Sequence, residues 1–98
     1  MTTKPWTMIR PADELGRVLA GRAHAAAVRK RVETALREGD SVVLDFEGVE
    51  AMSPSFADEL FAKLDRGVAD DRIRFEHLGD DLRALANYVI QGRARSGE

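Results

Sequence analysis

Apolar residues recur along the chain in two distinct periods. Ala25, Val28, Val32 and Leu36 are spaced three or four apart with Arg29, Lys30, Arg31 and Arg37 between them, the pattern of an amphipathic helix that "EGD" (residues 38–40) stops. Val42, Val43 and Leu44 then run together without alternation, as expected of a central strand over 41–46 covered on both faces. Phe56, Leu60, Phe61 and Leu64 form a second helical stripe over 55–66, with Asp58, Glu59, Lys63 and Asp65 off it and Gly67 as its end. In 72–77, Ile73 and Phe75 alternate with Arg72, Arg74 and Glu76, the period of a strand with one wet face. Leu82, Leu85, Ala86, Val89 and Ile90 trace a closing helix capped by Asp80 or Asp81.

Toward the start, Trp6 to Ile9 is rich in strand formers but bracketed by Pro5 and Pro11, which restricts it to a short edge strand. From Ala12 a short helical pattern places Leu15, Val18 and Leu19 on one face, with Asp13 and Glu14 in its first turn, until Gly21 interrupts it. Residues 91–98 read as a loose tail. Strand 41–46, helix 55–66 and strand 72–77 make a βαβ unit, which calls for parallel strands. The fold class expected is therefore α/β, a small mixed or parallel β-sheet with packed helices, in a single domain over residues 1–98.

Composition narrows the chemistry. With 15 Lys plus Arg against 17 Asp plus Glu and a net charge of -2, no basic surplus draws the chain to nucleic acid or anionic lipid. The cationic set Arg22, Arg29, Lys30, Arg31 and Arg37 reads as the solvated side of a helix. Cysteine is absent, which removes thiol chemistry and thiolate metal sites. No run of about 18 apolar residues is present, so no membrane span is expected, and the chain is read as cytoplasmic. His24 and His77 are far apart and share no ligand spacing, so neither a metal nor a cofactor is expected.

The stretch "MSPSFADEL", residues 52–60, carries the candidate chemistry. Proline suits the first helical position because its missing N–H is an orphan there, which makes Ser53 the N-cap and Pro54 the N1 residue. Alternatively Ser55 caps, with Asp58 three residues on completing a box-like pair. Asp45 closes the core strand, where open α/β sheets place their sites, and is expected to accept hydrogen bonds from the following turn. Gly48 is expected to supply a positive φ. Glu47, Glu50, Asp58 and Glu59 give this end an acidic rim able to steer a basic partner.

Together the residues of "VVLDFEGVEAMSPSFADEL", 42–60, resemble the central segment of STAS domains, the family of the bacterial anti-anti-sigma factors, and more closely a STAS-like group with a strand ending in Asp-Phe, a Gly-Val and a serine-rich turn into Phe-Ala-Asp-Glu-Leu. The resemblance implies a STAS-like fold, a small sandwich of sheet and helices that docks proteins rather than transforming substrates. In the anti-anti-sigma factors it further implies a partner switch, in which a histidine-kinase-like ATPase phosphorylates a serine in an Asp-Ser-Ser/Thr-Gly turn and then lets go. Laid on that pattern, Ser53 falls at the aspartate, Pro54 at the phosphorylated serine, Ser55 on the residue after it, and Phe56 at the glycine. Proline has no hydroxyl, so only Ser53 or Ser55 could take over as acceptor.

The function expected is a non-catalytic regulatory protein-interaction module with no catalytic residue. Its partner, a histidine-kinase-like ATPase by resemblance, would engage residues 47–66 through Glu47, Glu50, Ser53, Ser55, Asp58 and Glu59, with phosphorylation of Ser53 or Ser55 as modulation. A small enzyme built on Ser53, Ser55, Asp45 and His77 is the alternative, although these include no adjacent Ser-His or paired-carboxylate signature. A nucleic-acid-binding protein is the other, and homodimerisation through the edge strand near Trp6 is a further expectation.

Overall fold

The computed structural model describes residues 6–64 and 71–96, with only the backbone of 93–96. Its centre is a three-stranded parallel sheet. Strand β1 (Trp6–Ile9) leads through helix α1 (Pro11–Leu15), the two-residue strand β2 (Val18–Leu19) and helix α2 (Arg22–Arg37) to β3 (Ser41–Asp45). From β3 the chain passes through β4 (Ala51–Met52), helix α3 (Pro54–Ala57) and a π-helical turn (Asp58–Ala62) to β5 (Ile73–Glu76) and helix α4 (Asp80–Ser96). The sheet order is β1-β3-β5, with Trp6 paired to Ser41 and Val42 to Ile73, while β2 and β4 form a separate parallel pair. The expected edge strand at Trp6–Ile9, the parallel βαβ unit and the α/β class are all present.

Register and alternation sort the sheet into two faces. Thr7, Ile9, Val42, Leu44, Ile73 and Phe75 share one, and on it pack Val28, Val32 and Leu36 of α2, Phe56 of α3, Leu60 and Phe61 of the π turn, and Leu82, Ala86 and Val89 of α4. Burying a Leu or Phe side chain contributes about 2 kcal/mol, so this layer dominates the stability of the fold. Phe61 joins it through stacked contact with Phe46 at 5.8 Å and tilted contact with Phe75 at 5.7 Å.

Trp6, Met8, Val43, Arg74 and Glu76 share the other face. The expected covering of the core strand on both sides is present, every residue of β3 being buried, but no helix supplies it here. Val43 is buried but takes no part in the core cluster, and α2, α3, the π turn and α4 all pack on the first face. Burial comes instead from neighbouring side chains: the Arg74 guanidinium reaches from β5 to lie over the Trp6 ring of β1, 5.3 Å from its centroid, roofing β3 between them.

Other expectations change at element ends. Gly16 adopts φ 86° and closes α1 after Leu15, so Val18 and Leu19 leave the expected helix and pair with Ala51 and Met52 as a strand. The closing helix extends through Ser96, so most of the expected loose tail is helical. It begins at Asp80, with Arg83 N–H donating to the Gly79 carbonyl, which puts Asp80 and Asp81 inside the first turn rather than at the cap. The expected stop at Gly67 lies outside the described residues. Among the described residues no helix is long and apolar enough to cross a membrane.

Candidate functional site

Two groups of side chains gather around the carboxyl end of β3, one foreseen and one only in part. The foreseen group lies on the connection from β3 to α3. Gly48 takes φ 88° as expected, and its position allows no larger residue freely, since an added Cβ would lie 3.3 Å from that of Ala12. Beyond it the backbone is clamped: the N–H groups of Glu50 and Ala51 donate to the Arg17 carbonyl at 2.7 and 3.3 Å, and Ser53 N–H donates to the Leu19 carbonyl at 2.8 Å. Residues 50–53 are therefore tied to Arg17, just before β2, and to Leu19, the last residue of β2.

Ser53 is the N-cap, its Oγ accepting the Phe56 N–H at 3.1 Å, with Pro54 at the first helical position. Of the two capping schemes open in the sequence this is the first. The Ser55 hydroxyl lies 3.2 Å from that of Ser53, and both serines are half-buried. Glu47 and Glu50 are exposed, Asp58 is half-buried, and Glu59 is buried. The acidic rim is thus corrected on two counts.

First, arginines partner its charges. Arg17 bonds Glu50 at 3.0 Å, Arg22 bonds Asp58 at 3.0 Å, and Arg10 stands 3.8 Å from Glu47. Second, Glu59 does not face solvent. It accepts from Arg29 Nη2 at 3.1 Å, from Lys63 Nζ at 3.0 Å and from Arg22 Nη1 at 3.4 Å, joining the π turn to α2. The Lys63 hydrogen bond, opposed by burial and helped by Arg29, holds its carboxyl below the usual range. The widened π turn accounts for the difference, because it advances fewer degrees per residue than the α-helix assumed from the apolar stripe.

The second group is Arg10, Asp45 and His77, which follow or end the three strands of the sheet; Asp45 and His77 were candidates of the enzymatic alternative, and Arg10 is the member sequence reasoning missed. Asp45 is 2% exposed and uses both oxygens: Oδ2 accepts from Arg10 Nε at 3.2 Å and Nη2 at 3.1 Å, while Oδ1 accepts the Glu47 N–H at 2.9 Å and faces His77 Nδ1 at 2.7 Å. Burial pushes the Asp45 carboxyl up, but the Glu47 amide, His77 and Arg10 outweigh it and leave it below the ordinary value. The same hydrogen bonds raise His77 and Arg10. The expected role of Asp45, accepting from its own turn, is present through Glu47. What was missed is the register: in a parallel sheet, the residues leaving β1, β3 and β5 emerge side by side.

Ligand atoms of Asp45, Glu47 and His77 lie within 4.8 Å of one another, a spacing a divalent cation could span. Arg10 already donates to Asp45 and approaches Glu47, so a cation would have to displace or oppose the guanidinium. The cluster reads instead as an ion-pair lock across the three strand ends.

A family model described as a STAS-like domain of unknown function (DUF4325) matches residues 24–83. Comparison with curated proteins and with solved structures gave no match. The matched span starts in α2, takes in the whole of β3, the clamped connection, α3, the π turn and β5, and ends in the first turn of α4, more than half of the 98 residues. The central α/β core and the serine-bearing turn thus fall within one recognised unit, and the chain belongs to the STAS-like domain family.

Proposed function

We propose that the protein is a non-catalytic regulatory interaction module, engaging a protein partner through the connection from β3 to α3. A histidine-kinase-like ATPase is the partner class that the STAS resemblance suggests, with serine phosphorylation as the modulating step. The observation that carries the reading is the clamping of residues 50–53: exposed Glu50 and the Ser53 hydroxyl are offered on a backbone held to Arg17 and Leu19, with exposed Glu47 shortly before it and the Ser55 hydroxyl shortly after. Such a segment meets a partner with little ordering cost. The recognition set narrows to Glu47, Glu50, Ser53, Ser55 and Asp58, because Glu59 is buried in its ion pairs.

Of the two serines, Ser55 is the better acceptor for phosphate. Ser53 Oγ serves the Phe56 amide, whereas among the described residues the Ser55 hydroxyl bonds Ser53 alone. A phosphate there would add negative charge three residues before Asp58 and act as a repellent within an interface. The enzymatic alternative rests on His77, oriented by Asp45, yet the serine hydroxyls bond to each other and to Phe56 rather than to that imidazole.

The test is capture from the native cell with wild-type, Ser55→Asp and Glu50→Lys baits, together with mass spectrometry of the isolated protein. The expected result is one ATPase retained by wild type and lost from both variants, with phosphate on Ser55 under some growth condition. Equal capture by all three baits would overturn the proposed surface, and an absence of phosphate under every condition would remove the switch while leaving docking intact.

A further inference from the structure

The side chain of His77 is fixed at one ring nitrogen and open at the other. Its Nδ1 lies 2.7 Å from Asp45 Oδ1, and the imidazole is 57% exposed while the carboxylate beneath it is 3% exposed. That carboxylate has little freedom, since Arg10 Nε and Nη2 donate to Oδ2 and the Glu47 N–H donates to Oδ1. An ionised carboxylate only accepts, so the imidazole keeps a proton on Nδ1. In the neutral ring the lone pair then sits on Nε2, on the outward edge, where among the described residues nothing bonds it.

The position of the ring adds to this. His77 follows β5 at the carboxyl end of the parallel sheet, where α/β folds place reactive groups, and its φ of 56° is the kind of backbone strain that gathers at functional sites. As Nε2 forms a bond the ring gains positive charge, and the Asp45 carboxylate already stands behind Nδ1 to hold it. An N-acyl imidazole hydrolyses quickly when open to water, whereas an N-phosphoryl imidazole persists, which selects the group transferred.

We propose that His77 is a phosphoryl-acceptor site, taking a phosphoryl group on Nε2 from a donor of the phosphoramidate class. The Nε2 lone pair attacks phosphorus, the new N–P bond forms as the donor's P–N bond breaks, and the electron pair of that bond leaves on the protonated donor nitrogen as a neutral amine. One P–N bond replaces another, so transfer needs no further driving force. The product ring keeps its Nδ1–H and its positive charge, paired with Asp45. Arg10 is a positioning residue that acts through Asp45; of the charges around the ring, Glu47 and Glu76 oppose an incoming phosphoryl anion and Arg10 favours it. The serine hydroxyls take no part, so the site stands whether or not the serine turn docks a partner.

The chain's other histidine supplies the control. His24 on α2 is exposed, and its Nδ1 faces the Ala20 carbonyl at 3.4 Å rather than a carboxylate. The experiment incubates the full chain with potassium phosphoramidate at mildly alkaline pH, where part of the imidazole is neutral, and follows both rings by proton–nitrogen and phosphorus NMR. His77 is expected to gain phosphate on Nε2 about tenfold faster than His24, and to lose it again in acid. Asp45→Asn is expected to bring His77 down to the rate of His24, with circular dichroism checking that the variant is folded, and the comparison within wild type stands without any variant. Equal rates at the two histidines, attachment through Nδ1 of His77, or a folded Asp45→Asn that reacts like wild type would each overturn the proposal.

Discussion

Among the described non-glycine residues only His77 has a left-handed backbone, with φ 56°. A side chain in that region is held there by something outside its own preferences. For His77 that something is Asp45, bonded to its Nδ1 at 2.7 Å, with Glu47 and Glu76 adding attraction from the turn and from β5. The folded state therefore favours the imidazolium, and its value lies above the ordinary 6.5. Because the folded value is the higher one, this contribution to stability is complete below pH 6.5 and is lost as pH rises through the raised value. Urea unfolding followed from pH 6 to 9 should show stability falling across that window, and His77→Ala should flatten the fall. A wild-type profile that rises there would contradict the ion-pair lock. The two serines separate in the same kind of measurement. Ser53→Ala removes the hydrogen bond to the Phe56 amide and is expected to cost about 1 kcal/mol, whereas Ser55→Ala should stay within about 0.5 kcal/mol.

Among the elements, the π turn is the one that changes what a residue means. An ideal α-helical wheel puts Glu59 beside Lys63 on the wet side, and the structure buries it against Arg29. Glu59→Ala leaves the half-buried Arg29 with fewer acceptors and should destabilise by about 3 kcal/mol, while Glu50→Ala, which breaks only the exposed pair with Arg17, should cost under about 1 kcal/mol. Thermal melts of the two variants check the contrast, and similar losses would mean that the buried pairing carries no special weight. Helix α2 and the core strand were legible because their apolar spacing and their burial express the same force. The run from Leu15 to Leu19 was not, since a pair of apolar residues three and four positions past a helix's last residue looks the same whether it continues the turn or joins a strand. Gly16 decides the matter through a backbone angle that no periodicity records. The serine-bearing turn was readable from chain chemistry down to Gly48 in its positive φ and a choice of two caps, Ser53 or Ser55, which the structure settles as Ser53. Arg10 and His77 were unreadable as neighbours of Asp45 until the register of three strands was known.

For the molecule as a whole, the asymmetry of the sheet organises the rest. One face carries the hydrophobic layer and the other carries side chains that shelter β3 by themselves, so the protein has two independent outlooks: the clamped connection beyond β3 and the Trp6 face. The run Val42-Val43-Leu44 announced a strand hidden on both sides but could not say what hides it, because a helix and an arginine laid over an indole remove water equally well. The parallel pairing has one more effect, on how the chain comes to be folded. Every strand finds its neighbour roughly thirty residues or more away, so no hairpin can seed the sheet. On a ribosome, the apolar run of β3 emerges well ahead of Ile73, the residue that closes its second side, and it has to be kept from other chains until then.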